Sequence, residues 1–363
     1  MGPLAGLRIV EMAGLGPGPF CGMLLSDMGA DVIRIDRPGN ESLVGVSYDI
    51  MHRGRRLVEL NLKDGAERDQ ARALINKADG LIEGFRPGVM ERLGLGPETF
   101  EASNPKLVFG RMTGWGQTGP LAQTAGHDIN YLSITGALAT IGPREKPAIP
   151  LNLVGDFGGG ALYLAFGMVC GILEAKSSGR GQVIDAAISD GAAHLMAMMY
   201  SMHNEGRWNT ARESNLLDGG AAFYETYPCA DGKFISVGAI EPRFQKVLLD
   251  ALGISTALIV HDLQAPENKK LREELARVFA SQPRAYWVEL LETLDGCTAP
   301  VLDMAEAPEH PHNKARDTFV MHQGVRQPAP APRFSRTVPE LQNWSQTEPV
   351  RAATVLDQWK RRH

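Results

Sequence analysis

The first third of this 363-residue chain alternates short apolar runs with segments of helical periodicity. Four of the runs have the length and composition of buried strands, at residues 7–12, 31–36, 80–85 and 107–112. A helical pattern at residues 66–78 lies between the second and the third. Parallel strands need crossover connections, which are usually helices. The alternation therefore predicts an α/β fold with a Rossmann-like parallel sheet in a large domain.

The whole chain is longer than one hydrophobic core usually supports, and its second half differs in character from the first. Helical patterns at residues 156–175 and 185–203 come first. An alternating segment with the turn signal Asp231-Gly232 then predicts a hairpin, and two amphipathic helices follow it. We expect a large domain at 1–186 and 330–363, a linker helix at 187–216, a small α+β domain at 217–309 and a return linker at 310–329.

Composition excludes several classes of protein. A net charge of −5 and a pI of about 6.0 disfavour nucleic-acid binding. The four cysteines are far apart in sequence, which predicts neither a disulfide framework nor a metal site. The N-terminus lacks a signal pattern, and the longest apolar run, residues 161–173, is too short to span a bilayer. We expect a cytoplasmic protein that is not inserted in a membrane.

The glycine-rich turn after the first strand suggests a dinucleotide site, with Asp36 at the distance of a ribose-binding acid. A G-x-G-x-x-G motif that begins at Gly14 or Gly16 would, however, need glycine where Pro19 and Cys21 stand. Proline also lacks the N–H group that binds a pyrophosphate. The details favour a rigid turn that opens a helix, and they argue against NAD.

Basic residues recur at the edges of the first βα units. Arg37 and Arg86 directly follow strands, where ligands of open α/β sheets bind. Arginine suits phosphate by its bidentate geometry. A solvated surface explains any one of these side chains, but the pair favours a multiply phosphorylated nucleotide. The basic residues in question are Arg37, Arg53, Arg55, Arg56, Lys63, Arg86 and Arg92.

The segment GDFGGG at residues 155–160 precedes a long apolar pattern, so Asp156 is a candidate helix N-cap. Capping does not explain the three glycines that follow, because glycine weakens a helical turn. Glycine would allow a ligand to approach free backbone N–H groups. The segment therefore predicts an oxyanion site with a carboxylate beside it.

His127, in AGHDINYL, can be a packed side chain, a metal ligand or a base. No second histidine or cysteine lies at ligand spacing, which disfavours a metal. Its neighbour Asp128 cannot easily orient it, because adjacent side chains point in different directions. A catalytic His127 therefore needs a distant carboxylate. One candidate is Glu241, placed before Pro242 at an element boundary, although alone it would be interpreted as a surface glutamate.

Methionines recur every three residues at Met196, Met199 and Met202, with Met198 beside them. Core packing explains such a stripe, and so does an adaptable surface for variable apolar ligands. Both interpretations remain open at the level of sequence.

Together these residues resemble the alpha-methylacyl-CoA racemases of the family III CoA-transferase superfamily, over essentially the whole chain. The resemblance is carried by the blocks VEMAGLGPGPF, VIRIDRPG, RPGVMERLGLGP, TGWGQTGP, AGHDINYL, PLNLVGDFGGG, GRGQVIDA, LLDGGA and VGAIEPRF. It implies an interlocked homodimer, whose active site lies between the large domain of one chain and the small domain of the other. It also implies an enzyme of fatty-acid and lipid metabolism.

The resemblance assigns roles to residues. His127 and Asp156 would be the two acid/bases that interconvert (2R)- and (2S)-2-methylacyl-CoA thioesters through an enolate, and Glu241 would hold His127. No metal or redox cofactor is implied, because coenzyme A is part of the substrate. The CoA-binding positions would be Arg37, Arg53, Lys63, Arg86, Arg92 and Tyr131.

The alternative within the superfamily is a CoA-transferase, in which the aspartate at position 156 is a nucleophile. Such enzymes usually carry tyrosine before the aspartate of the GHD block and lack the paired glutamate, so His127 with Glu241 favours the racemase. Leu216 stands where the racemases often have methionine, which leaves the preferred acyl chain open.

Overall fold

A computed structural model of the protein describes residues 2–39, 45–260 and 262–361. Its contacts divide the chain into two compact units. The first unit comprises Met1–Gly136, Pro150–Met196 and Asp317–His363. The second comprises Ala137–Ile149 and Ala197–Arg316.

The first unit contains a six-stranded parallel sheet with the strand order β3-β2-β1-β4-β5-β6. This confirms the predicted α/β class and all four predicted strands, which are β1, β2, β4 and β5. The strands of the sheet are β1 (Arg8–Met12), β2 (Asp31–Asp36), β3 (Arg56–Glu59), β4 (Gly80–Glu83), β5 (Val108–Thr113) and β6 (Val183–Ala187).

The two edge strands, β3 and β6, were not predicted from the sequence. A charged RGRR stretch obscures β3, because Arg53, Arg55 and Arg56 read as surface residues although the structure buries all three. The prediction of a helix at residues 185–203 was wrong for its first residues. Strand β6 occupies that position, and as an edge strand it exposes Val183 to solvent and lacks a continuous apolar run.

Thirteen α-helices are assigned among the described residues. They are α1 (Pro17–Asp27), α2 (Gly65–Ile75), α3 (Val89–Arg92), α4 (Asp128–Ser133), α5 (Ala137–Thr140), α6 (Leu162–Ser178), α7 (Ile188–Leu195), α8 (Ala197–Asn204), α9 (Pro242–Leu252), α10 (Pro266–Phe279), α11 (Arg284–Leu291), α12 (Pro311–Ala315) and α13 (Ala352–Arg361).

Both faces of the parallel sheet are covered, as its apolar strands require. Successive residues of one strand point to opposite faces, so Ile9 and Val10 belong to two different cores. One core lies under α2 and the C-terminal helix α13, where Trp359 is fully buried. The other lies under α1 and α6, and Met168 of α6 is buried in it.

A π-helical segment, Leu153–Ala161, precedes α6 and changes the interpretation of the GDFGGG motif. Asp156 lies inside this segment and is not a helix N-cap, so that prediction was wrong. Counted together, Leu153–Ser178 is long and apolar enough to cross a membrane by length and composition alone. Leu164 and Met168 nevertheless pack in the core under the sheet, as in the core helix of a folded unit.

The glycines of the motif allow close helix packing. A Cβ at Gly159 would lie 2.7 Å from the backbone nitrogen of Ala192, and a Cβ at Gly191 would overlap the carbonyl oxygen of Gly159. Gly160 faces Ile188 in the same way. The motif's glycines therefore let α7 approach the π-helical segment, which replaces the prediction that they admit a ligand.

The second unit is built around a three-stranded antiparallel sheet, β7-β8-β9, and confirms the predicted hairpin at Asp231-Gly232. Helices α9, α10 and α11 cover this sheet, with Phe279 and Trp287 fully or nearly buried. A two-stranded antiparallel sheet, β10-β11, belongs to the first unit. The remaining strands are β7 (Tyr224–Pro228), β8 (Phe234–Gly238), β9 (Thr298–Val301), β10 (Phe319–His322) and β11 (Val325–Pro328).

We predict that Gly191→Ala lowers the free energy of unfolding by at least about 2 kcal/mol, because the added methyl group must push α7 away from the π-helical segment. The matched control is Gly18→Ala in α1, where a Cβ meets nothing within 4 Å. That change should be neutral or stabilising by up to about 1 kcal/mol. Urea unfolding measures both, and equal midpoints for the two variants would contradict the close-packing role.

Candidate active site

A cavity of about 1340 Å³ lies in the first unit, at the carboxyl ends of β1, β2, β3 and β4. Strand β1 stands between β2 and β4, so the loops that leave β1 and β4 separate there and open a crevice. Ligands of open α/β sheets bind at such a point. The residues that line the cavity include Gly14, Gly16, Asp36, Arg37, Lys63, Phe85, Asn152 and Asp156.

The turn after β1 brings the backbone against Asp156. Gly16 has a φ of 64°, a conformation that favours glycine, and a Cβ there would lie 3.0 Å from Oδ2 of Asp156. Arg55, fully buried in an ion pair with Glu11, donates a 3.1 Å hydrogen bond to the carbonyl oxygen of Pro19 and holds the turn from beneath. The glycine-rich turn therefore makes room for a carboxylate.

Asp156 has the electrostatics of an acid/base. Burial raises its pKa to about 6, and the neighbouring negative charge of Asp128 acts in the same direction. Asn152 and His127 act in the opposite direction. At pH 7 such a carboxyl is protonated roughly a tenth of the time, against roughly a thousandth for an ordinary aspartate. Asp156 can therefore both accept and donate a proton near neutral pH.

The structure gives the side chain of Asp128 a role that the sequence did not reveal. Its Oδ1 accepts a 2.6 Å hydrogen bond from the backbone N–H of Asp156, and its carboxylate also interacts with the N–H of Gly155. These N–H groups are therefore occupied, and the predicted oxyanion site at this end of the helix is corrected. The sequence contains no local signal for this contact, because the partners are 28 residues apart.

His127 is exposed and lies at the N-cap of α4, where its backbone N–H donates a 3.1 Å hydrogen bond to Oδ1 of Asn130. Its charge acts on the pKa of Asp156, so the two predicted acid/bases lie within electrostatic range of each other in the first unit. Tyr131, on the same helix, donates its hydroxyl hydrogen to the carbonyl oxygen of Gly126. The charge of Asp156 contributes, after burial, to raising the pKa of Tyr131.

The predicted CoA-binding residues divide into exposed and buried groups. Arg37 and Lys63 are exposed at the cavity, and Arg86 and Arg92 are exposed in the loop after β4 and in α3. Arg53 is different, because only 3% of it is exposed.

The guanidinium of Arg53 donates to both carboxylate oxygens of Asp27, at 3.0 and 2.5 Å, and to Gln327 and the carbonyl oxygen of Pro328. These partners occupy its donors within the fold. Arg53 is thus a structural ion-pair residue in this geometry and is not placed to meet a phosphate, which corrects the prediction for this position.

A polar network on the cavity wall was missed in the sequence. Arg34 donates to the ring of His52 at 3.1 Å and lies 3.5 Å from Asp36, while Asp49 lies 3.6 Å from the same ring. Burial, with the charges of Arg55 and Arg34, lowers the pKa of His52 to about 3, so this histidine is neutral. Arg34 lies in the middle of the apolar strand β2, and this position in the sequence could have revealed the network.

Glu241 belongs to the second unit, where it precedes Pro242 at the N-cap of α9 as the sequence predicts. Its side chain is exposed, and its charge contributes to raising the pKa of Cys297. Its role toward His127 stays a prediction. Within residues 2–39, 45–260 and 262–361, no group of three histidine, cysteine or acidic side chains is arranged to hold a metal ion.

We predict that one aspartate carboxyl titrates near pH 6 and that the Asp156→Asn variant lacks this titration. The raised pKa means that Asp156 is mainly protonated below pH 6 and ionised above it. Carboxyl-carbon NMR of protein labelled at aspartate measures this transition in both forms. A difference spectrum without a carboxyl signal that titrates between about pH 5 and 7 would refute the assignment.

Comparison with known proteins identifies relatives of the chain. Over 336 residues it is 44% identical to the alpha-methylacyl-CoA racemase of Mus musculus, which covers 92% of this chain and 87% of that protein. Over 339 residues it is 41% identical to the alpha-methylacyl-CoA racemase of Homo sapiens, with the same two shares. It is also 29% identical, over 353 residues, to the acetyl-CoA:oxalate CoA-transferase of Acetobacter aceti, covering 90% of this chain and 88% of that one.

Among solved structures, a CAIB/BAIF family protein from Brucella suis superposes with a TM-score of 0.82 over 99% of both chains. At 24% identity this likeness establishes the fold alone. The sequence profile of CoA-transferase family III matches residues 4–351, nearly the whole length. The chain belongs to CoA-transferase family III.

Proposed function

We propose that the protein is an alpha-methylacyl-CoA racemase, which interconverts the (2R) and (2S) forms of 2-methylacyl-CoA thioesters. The observation that carries this proposal is the Asp156 carboxyl, which lines a large cavity, has a pKa raised to about 6 and interacts electrostatically with His127. Two relatives that carry this name are 41 and 44% identical to the chain.

The reaction requires a proton to leave one face of the α-carbon and another to arrive at the opposite face. His127 and Asp156 act as this pair, and they exchange the roles of base and acid with the direction of the reaction. An acid that is partly protonated at neutral pH suits both roles, whereas an ordinary aspartate is almost never protonated there. The transfer leaves the oxidation state of the substrate unchanged, so we propose no redox cofactor and no metal.

Coenzyme A provides the handle by which the substrate is held. Arg37 and Lys63 lie at the cavity and bind its phosphates, and Arg86 and Arg92 extend the basic surface after β4. Binding energy from this remote part of the substrate positions the reacting carbon between the two acid/bases.

We further propose that Glu241 holds the ring of His127 and that the protein is an interlocked homodimer. The support is the resemblance to racemases, together with the position of Glu241 at a helix N-cap, where its backbone is fixed. We also propose that the enzyme serves lipid and fatty-acid metabolism in the cytoplasm.

The second candidate is a CoA-transferase with Asp156 as the nucleophile, since a relative 29% identical to the chain bears that activity in its name. Such chemistry needs an ionised carboxylate that attacks the thioester carbonyl. The raised pKa of Asp156 and its neighbour His127 favour proton transfer instead.

The decisive experiment incubates one enantiomer of a 2-methylacyl-CoA with the enzyme in D₂O. We expect loss of chirality together with one α-deuterium, because each turnover replaces the α-proton. The variants His127→Asn and Asp156→Asn should each lower the racemisation rate by about 10²-fold or more. Retained chirality without exchange, but transfer of CoA to an added carboxylate, would establish the transferase instead.

We predict that Arg37→Ala raises the KM for acyl-CoA about tenfold and changes kcat less. A charge-assisted hydrogen bond to phosphate is worth about 1.5–3 kcal/mol, and about 1.4 kcal/mol corresponds to a factor of ten. The matched control is Arg277→Ala, which removes the same charge from the exposed side of α10 and should leave KM within twofold. An unchanged KM in Arg37→Ala would remove this residue from the CoA site.

A further inference from the structure

The first turn of α4 carries two consecutive titratable residues with opposite surroundings. His127, at the N-cap, is exposed, whereas Asp128 is only 9% exposed. Oδ1 of Asp128 accepts a 2.6 Å hydrogen bond from the backbone N–H of Asp156. Asp128 therefore connects the two residues, although they are distant in sequence. It is joined to His127 by a peptide bond, and its side chain is hydrogen-bonded to the backbone of Asp156.

We propose that Asp128 is a positioning residue whose carboxylate fixes the spacing between His127 and Asp156, an inference that rests on the proposed racemase function. Racemisation needs two groups held on opposite faces of one carbon, and a misplacement of about 1 Å can cost 10²-fold in rate. The hydrogen bond ties the π-helical segment, which carries Asp156, to Asp128, the residue that follows His127.

The sequence of the π-helical segment is adapted to this contact. Gly155 is buried, and a Cβ there would overlap Oδ1 of Asp128. The residue before Asp156 must therefore be glycine for the carboxylate to reach the backbone. Asp128 replaces the local cap that the segment would otherwise need, since the side chain of Asn152 at its N-cap makes no capping hydrogen bond to the segment.

The same contact contributes, after burial, to the raised pKa of Asp156. The groups that face its carboxyl are Asp128 and the hydroxyl of Tyr131 from α4, His127 at the N-cap, Asn152 at the start of the π-helical segment and Gly16 from the turn after β1. Of these, Asp128 is the negative charge that acts beside burial to raise the pKa. Removing this charge must lower the pKa of Asp156, so that the carboxyl ionises at lower pH.

A purely structural role for Asp128 predicts different behaviour. Loss of a cap alone lowers stability, typically by about 1 kcal/mol, and leaves kcat of the folded enzyme unchanged. The second unit offers a matched control in Asp303, whose Oδ1 accepts 2.8 Å hydrogen bonds from the backbone N–H groups of Ala305 and Glu306. Asp303→Asn therefore removes the same kind of charged cap from the other unit.

The test compares the full-length Asp128→Asn, Asp128→Ala and Asp303→Asn variants with the unaltered enzyme. Asparagine keeps an acceptor oxygen and removes the charge, whereas alanine removes both. Carboxyl-carbon NMR follows the titration of Asp156, and α-deuterium incorporation from D₂O gives kcat and KM for each enantiomer across pH.

In Asp128→Asn we expect the titration of Asp156, and the acidic limb of the rate profile that depends on it, to move to lower pH by roughly one unit. In Asp128→Ala we expect kcat to fall about 10²-fold for both enantiomers while KM changes less, because the CoA handle is untouched. Asp303→Asn should alter neither the titration nor kcat.

An unchanged Asp156 titration in Asp128→Asn overturns the inference, and so does a kcat within threefold of the unaltered enzyme in a folded Asp128→Ala. If Asp128→Ala does not fold, the asparagine variant alone decides. Failure of the proposed function looks different, since the unaltered enzyme would then incorporate no α-deuterium, while the NMR titration would still report on the Asp128 contact.

Discussion

The parallel sheet of the first unit is apolar on both faces, and both faces have to be covered by helices packed at short range. Strand β1 lies between β2 and β4 in the sheet, and the chain leaves β1 and β4 in different directions. The crevice that results at the carboxyl ends of these strands is where the cavity lies. The site is thus a consequence of covering the sheet, and its residues come from the loops that the strand order separates.

Close packing explains features that otherwise look like binding motifs. Gly159 of GDFGGG and Gly191 of α7 let two helical segments approach at backbone distance. That approach fixes the π-helical segment, and the segment in turn fixes the backbone of Asp156. The glycines of the motif, which in the sequence suggest ligand binding, therefore act indirectly. They make rigid the π-helical segment that carries the Asp156 carboxylate.

Sequence patterns predicted what depends on local periodicity. The apolar strands of the sheet centre and the hairpin at Asp231-Gly232 follow from alternation and turn chemistry. Strand β3 was missed because Arg56 at its start, and Arg53 and Arg55 just before it, are buried in ion pairs. A charged residue is predicted to be exposed unless its partner is known. Arg53 shows the same difficulty, since its partner Asp27 lies 26 residues earlier. His127 and Asp156 could be proposed as acid/bases from the sequence, a prediction that still stands, but the contact of Asp128 with the backbone of Asp156 could not be foreseen.

The raised pKa of Asp156, caused by burial and by the charge of Asp128, has a thermodynamic consequence for the whole unit. A carboxyl whose pKa is higher in the folded than in the unfolded state favours folding in its protonated form. Its contribution to stability is therefore fully present at acidic pH and is lost as the pH rises through about 6. A neutral residue at position 128 would reduce this cost, because the negative charge of Asp128 acts with burial to keep Asp156 partly protonated near neutral pH. A carboxyl in this state can serve as an acid as well as a base there, so the loss of stability at neutral pH accompanies the property that acid/base chemistry needs.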